Sequence, residues 1–177
     1  MQQYKIIFSG PVGAGKSTAI KVLSDIDVVA TEARASDHVR EVKNTTTVAM
    51  DYGRLNLDAK TIVHLYGTPG QERFNFMWEI LAKGALGLVL LIDCSVSSIN
   101  TDIATYLEAF TDFINENPVV IGLTRSDIGT GIDWDGIYDA LAERGISAPV
   151  FEVDARNKLD INMLVEALVL SIDPTAT

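Results

Sequence analysis

Eight consecutive residues, Gly10-Pro11-Val12-Gly13-Ala14-Gly15-Lys16-Ser17, carry the pattern G-x-x-x-x-G-K-S, which suits one kind of chemistry. Glycines at this spacing let successive N–H groups curl around a phosphate, and a helix starting behind them points its positive end at the same anion. Lys16 is then placed to bridge the β- and γ-phosphates of a nucleotide, and the Ser17 hydroxyl to ligate Mg²⁺. Gly10, Val12, Gly13, Ala14, Gly15 and Thr18 complete the expected nucleotide contacts. The alternative is a plain glycine turn without a ligand; the strand-like run before the loop and the helix-like run after it favour the phosphate reading. Val12 sits at the third loop position, near the expected γ-phosphate, where a glycine would leave room for a hydrolysis partner. It either crowds the site and slows unassisted hydrolysis or is simply tolerated there.

Two later segments bear on which base is read. Gly67-Thr68-Pro69-Gly70-Gln71-Glu72-Arg73-Phe74 follows a hairpin-like stretch, and Thr124-Arg125-Ser126-Asp127 follows a buried apolar run. Here the chain resembles the Ras superfamily of GTPases, whose corresponding segments read D-T-A-G-Q-E and N-K-x-D. Gly-Gln-Glu-Arg-Phe is similar to the Rab and Arf branches, while the proline before Gly70 and the loss of the Asp look more like bacterial Ras-like GTPases of the mutual-gliding kind. The resemblance spans about residues 4 to 172. It implies a Mg²⁺-dependent small GTPase that cycles as a switch between GTP and GDP and hydrolyses GTP slowly unless helped by a partner.

The roles implied by the resemblance can be weighed against chemistry. Asp127 would accept hydrogen bonds from guanine N1–H and its exocyclic amine, a pair adenine cannot supply, and sites of this sort discriminate by about 10⁴ or more. Arg125, where the family has Lys, could lay its guanidinium over the base. Thr124 replaces the family's Asn and keeps a hydroxyl. Asp154-Ala155-Arg156 stands at the S-A-K position, with the Ala155 N–H expected at guanine O6. Gly70 resembles the glycine that senses the γ-phosphate, and Gln71 the glutamine that orients the attacking water, so Gln71 and Lys16 are the catalytic candidates. Thr47, four residues before Asp51-Tyr52, matches the switch threonine that joins Ser17 on Mg²⁺; Thr45 and Thr46 compete for that role. Gly67 replaces the Asp that steadies the metal through a water. Asp93 ends an apolar run but follows a different strand, which suits a capping or turn role.

An activating arginine would come in cis, from Arg34, Arg40 or Arg73, or from a partner. Arg34 and Arg40 share their segment with Glu32, Asp37 and Glu41, the mark of a solvated surface, and His38 beside them reads as exposed. Phe74, Phe76, Met77, Trp78, Ile80 and Leu81 exceed what one helix face can bury. The surplus is expected to form a partner surface, so that segments 32–47 and 71–81 meet an effector and an activator, roadblock-type by resemblance. A guanine-nucleotide-binding scaffold without hydrolysis is the second reading, motivated by Gly67 and Val12. A small-molecule or nucleotide kinase is disfavoured: Asp127 would have no role there, and no arginine-rich lid segment follows.

These residues need a scaffold that gathers them at one sheet edge. Lys5 to Ser9, Leu86 to Ile92, Val119 to Leu123 and Pro149 to Val153 read as strands, the middle two as central parallel strands buried on both faces. Val48 to Leu57 and Thr61 to Tyr66 read as an antiparallel hairpin around Asp58-Ala59 at the sheet edge. Helical spacing links Ile99, Ile103, Tyr106, Leu107, Phe110 and Ile114, and again Ile161, Leu164, Val165, Leu168 and Ile172. Asp133 caps a further helix carrying Ile137 and Leu141 and stopped by Gly145, and residues 26–46 read as a long irregular segment. The expected fold is a single three-layer α/β phosphate-loop domain over residues 1–177, with a mostly parallel six-stranded sheet and one antiparallel edge strand.

Bulk composition agrees. The 177 residues are 47% hydrophobic and 21% charged, with a net charge of −10. So acidic a surface argues against nucleic acid or anionic lipid as the main partner, yet leaves room for a nucleotide gripped by N–H groups, one lysine and a metal ion. A single cysteine, Cys94, forms no internal disulfide and suits a reducing cytoplasm. Neither an export signal, a membrane span, nor a myristoylation or prenylation motif is read from the chain.

Overall fold

The apolar runs become strands because their residues are buried on both faces. In the computed structural model, which describes residues 2–34, 47–71, 75–129 and 131–172, β5 (Gly87–Asp93) and β6 (Val119–Thr124) are buried at every position. Only helices on both sides of a sheet can do that. The remaining strands are β1 (Gln2–Ser9), β2 (Val29–Arg34), β3 (Thr47–Asn56), β4 (Thr61–Gly67) and β7 (Val150–Val153). The helices are α1 (Lys16–Leu23), α2 (Asn75–Ala82), α3 (Ile99–Ala109), α4 (Thr111–Glu116), α5 (Trp134–Ala142) and α6 (Lys158–Ile172).

The sheet runs β2-β3-β4-β1-β5-β6-β7. Antiparallel pairing occurs between β2 and β3 and between β3 and β4, and every pair from β4 to β7 is parallel. Seven strands rather than six correct the expected count. The additional one, β2, lies in the stretch expected to be irregular, and it displaces the β3–β4 hairpin from the edge. Its six residues, Val-Ala-Thr-Glu-Ala-Arg, mix charge with small side chains and so give no alternation strong enough to read.

Two cores flank the sheet. Ile20 and Leu23 of α1 meet Ile161, Leu164 and Leu168 of α6 under one face, with Phe8, Leu65 and Leu91. Trp78, Leu81, Ile103, Leu107, Ile137 and Leu141 from α2, α3 and α5 cover the other, against Leu90, Ile92 and Ile121. The helical stripe expected from Ile99 to Ile114 is broken at Phe110, which leaves α-helical geometry (φ −104°, ψ 15°) and starts α4. Its buried ring stacks on Trp78, 5.7 Å away, so packing overrides a periodicity that continues past the break. Asp133 does cap α5, its carboxylate accepting the Gly136 N–H at 3.0 Å. Among the described residues, no helix is long and apolar enough to cross a membrane.

Candidate nucleotide-binding site

The phosphate loop and the segments after β4, β6 and β7 lie at the carboxyl ends of parallel strands, where open α/β sheets bind ligands. The loop of residues 10–15 turns from β1 into α1. Gly15, at φ 97°, forms the left-handed corner that starts the helix, and no acidic residue occupies the first turn of α1. A methyl group on Gly15 would lie 2.8 Å from Ala155 Cβ, so the loop and the segment after β7 touch only because no side chain is there. Thr124, at the end of β6, is buried and directs its hydroxyl at the carbonyls of Ala14 (3.1 Å) and Ile92 (3.2 Å). That hydroxyl therefore braces the loop, and the residue also lines the cleft beside it.

The Lys16 ammonium is buried and donates to the carbonyls of Gly10 (2.6 Å) and Pro11 (2.7 Å). Burial pulls its pKa down to about 8, and the Asp51 charge partly offsets this. A cation that burial disfavours in this way gains from any polyphosphate brought against it.

The Ser17 hydroxyl donates to Asp51 Oδ2. Asp51 stands on β3, directly across from Gly67 on β4, the position where the resembling family has its metal-steadying Asp. A methyl group on Gly67 would meet Ile20 Cδ1 at 2.9 Å, Asp51 Cβ at 3.2 Å and Asp51 Oδ2 at 3.3 Å. The space a Gly67 side chain would need is thus filled by Ile20 of α1 and by the Asp51 side chain of the facing strand. A hydroxyl and a carboxylate side by side, both hard oxygen donors, suit Mg²⁺. Sequence reading passed over Asp51 because it is 34 residues from Ser17; the loss of the Asp at Gly67 was the signal to look across the hairpin.

Beyond the loop, a cleft of ≈ 580 Å³ is lined by Ala14, Gly15 and Thr18 on one side and by Arg125, Asp127, Ala155 and Arg156 on the other. Asp127 is exposed in it, and no hydrogen bond or ion pair ties its carboxylate to the described residues. Arg125 has a left-handed φ of 56°, the one non-glycine residue with positive φ among those described. Its guanidinium donates to the buried Asp93 carboxylate at 2.8 Å. Asp93 also accepts from the N–H of Ser95 (2.8 Å) and its hydroxyl (2.5 Å), so it makes the expected turn and pins Arg125 as well. Arg156 folds back on Asp154 at 2.7 Å, and this pairing holds the Asp154 carboxyl near pKa 2.

The switch-like segment is anchored on both sides. The Thr68 N–H donates to Phe8 O at 2.9 Å and its hydroxyl pairs with Ser9 Oγ at 2.7 Å. The Trp78 indole N–H donates to Pro69 O at 2.8 Å, and the Tyr106 hydroxyl to Gly70 O at 3.2 Å. Gln71 follows, exposed. On α2, Trp78 and Leu81 are buried while Phe76 and Ile80 are 49% and 63% exposed, the division expected of a helix with more large side chains than the sheet can cover. Val12 is exposed at the loop mouth. Thr47 opens β3, its backbone opposite Arg34; the side chains of both, together with Arg40, Thr45, Thr46, Arg73 and Phe74, lie outside the described residues.

The fold and its loop define a phosphate-loop α/β domain. The chain belongs to the family described as conserved hypothetical ATP binding protein, which matches residues 24–150. It is 32% identical over 140 residues to an uncharacterized protein of Methanocaldococcus jannaschii, covering 77% of this chain and 79% of that one. It is also similar to Ras-related protein Rab-1D of Dictyostelium discoideum (24% over 163 residues, 89% of this chain and 74% of the relative). Ras-related protein SEC4 of Saccharomyces cerevisiae shows the same identity over 163 residues, covering 89% of this chain and 69% of its own.

Proposed function

We propose that this chain binds guanine nucleotide with Mg²⁺ and hydrolyses GTP slowly, as a Ras-like switch of the bacterial mutual-gliding type. One observation carries the reading: an exposed carboxylate, Asp127, lines the same cleft as the phosphate loop. With the polyphosphate on the loop N–H groups and Lys16, the base extends toward Arg125 and Asp127. There a carboxylate takes up the N1–H and amine of guanine and is left unpaired by adenine. Arg125, held by Asp93, covers the base, and Ala155 meets its O6 edge.

Ser17 and Asp51, with Thr47, are the residues that would hold Mg²⁺. When bound, the metal would supply charge neutralisation at the phosphate oxygens. Lys16 binds the same oxygens, Gly70 offers its N–H to the γ-phosphate, and Gln71 orients the attacking water. The Asp51 carboxylate counts against a scaffold without hydrolysis, because it stands beside Ser17 and across from Gly67, where the acid missing at position 67 would act. Phe76 and Ile80 are part of the surface offered to an effector and to an activator, roadblock-type by resemblance, along segments 32–47 and 71–81.

A second reading, ATP in place of GTP, is favoured by the description of the family matching residues 24–150. Multiple-turnover phosphate release with Mg²⁺, comparing GTP with ATP and testing candidate activators, separates the alternatives. Release from GTP alone supports the proposal. Release from ATP alone favours the second reading, and none from either favours the scaffold.

A further inference from the structure

Gly70 packs directly against the phosphate loop. A methyl group there would lie 2.7 Å from Val12 N, 2.8 Å from Lys16 Nζ and 2.9 Å from Pro11 C. Its α-carbon, one bond from that point, therefore crowds the Lys16 ammonium and the Val12 N–H, and that ammonium donates to the Gly10 and Pro11 carbonyls. A phosphate group bonded to both Lys16 and the Gly70 N–H needs about 2.8 Å to each and room for its remaining oxygens, and a carbon this close to Lys16 Nζ and Val12 N competes for that room. A diphosphate ends short of that space. A triphosphate needs it, so Gly70 must withdraw.

What resists withdrawal is visible. Two consecutive carbonyls, Pro69 and Gly70, are held by donors from two different helices, the Trp78 indole on α2 and the Tyr106 hydroxyl on α3. Both rings are 2% exposed and stack on each other at 4.6 Å and 22°, with Phe110 continuing the stack beyond Trp78. Rings packed on two sides do not follow a moving loop; the hydrogen bonds must break or stretch first. Thr68, tied to β1, fixes the other end of the segment.

We propose that Tyr106, seconded by Trp78, sets the preference of the site for nucleoside diphosphate over triphosphate by holding Gly70 in the space of the γ-phosphate. Tyr106 touches neither nucleotide nor metal in this account; it is a positioning residue that acts through the Gly70 carbonyl. The inference rests on the guanine-nucleotide reading above and adds to it a determinant of which state the switch occupies at rest.

Tyr106→Phe removes the hydroxyl and keeps the stacked ring. Affinities of fluorescent GDP and a fluorescent non-hydrolysable GTP analogue are measured with Mg²⁺ for the wild type and this variant. One net hydrogen bond corresponds to a rise of about three- to tenfold in the analogue-to-GDP affinity ratio, carried by tighter analogue binding with GDP unchanged. Equal changes in both affinities, or none, overturn the proposal while leaving the guanine reading intact. Failure of the wild type to bind either nucleotide overturns both. A second measurement keeps the test independent of that variant: in a Trp134→Phe background, the emission of Trp78 is expected to shift on adding the GTP analogue and to stay put with GDP. An emission unmoved by the analogue, with binding shown separately, contradicts withdrawal of the Pro69 carbonyl.

Discussion

Replacing Asp51 by Asn keeps the shape of the side chain and an oxygen able to accept from Ser17, while removing one negative charge beside the proposed metal position. A carboxylate that steadies a divalent ion through one water lies about 4 Å from it, where each unit-charge pair is worth about 1 kcal/mol in water and about 4 kcal/mol at an effective dielectric of 20. Asp51 is half-buried, so screening by solvent keeps the loss toward the lower end, about 1.4–2.8 kcal/mol, equal to the 10- to 100-fold weakening typical when an outer partner of a metal is lost. The assay is release of fluorescent GDP against Mg²⁺ concentration. The half-saturating Mg²⁺ is expected to rise about 10- to 100-fold, with release in excess chelator little changed. The swapped pair Asp51→Gly with Gly67→Asp frees the space now filled by Asp51 Cβ and Oδ2, and it is expected to recover part of the loss. An Asp51→Asn protein with the Mg²⁺ dependence of wild type would refute the assignment of this carboxylate to the metal.

Three further outcomes follow from the geometry. Because burial lowers the Lys16 pKa to about 8 and bound phosphate restores the charged form, nucleotide affinity should be flat below pH 8 and fall above it. At pH 9 about a tenth of the free protein holds the proton, so the dissociation constant rises about tenfold over that at pH 7, and calorimetry in two buffers at pH 9 should detect proton uptake. Asp127→Asn replaces an acceptor by an amide that can donate, so it should move preference from guanine toward xanthine diphosphate by at least about 100-fold; an unchanged preference would remove Asp127 from the base. Asp93→Asn and Arg125→Met should each speed release of fluorescent GDP, and the double variant should be no worse than the poorer single one. Additive effects would mean that Asp93 is only a turn residue.

The phosphate loop was legible because its residues are contiguous and flanked by a strand and a helix that carry their own patterns. Gly70, Gln71 and Thr124 to Asp127 were legible as segments for the same reason. Contacts between segments were not. Asp51 faces Gly67 through strand register, and Asp93 reaches Arg125 because β5 and β6 pair Asp93 with Thr124; neither register can be written down before the sheet order is known. Thr124 lines the cleft, and that its hydroxyl also meets the loop carbonyl of Ala14 is again a contact between segments. Apolar continuity gave β5 and β6, whereas β2, with its mixed charges, and the break at Phe110, which has neither glycine nor proline to mark it, are set by neighbours distant in the chain.

A cleft that reads a guanine base over a metal-bound polyphosphate must choose among nucleotides by their base. Displacement of fluorescent GDP from the whole chain by unlabelled GTP, GDP, ATP and ADP, each with Mg²⁺ and with chelator, tests it most directly. GTP and GDP are expected to displace it at concentrations at least about 100-fold below those needed for ATP and ADP, with tighter binding when Mg²⁺ is present. Displacement by adenine nucleotides at equal or lower concentration would contradict that choice of base.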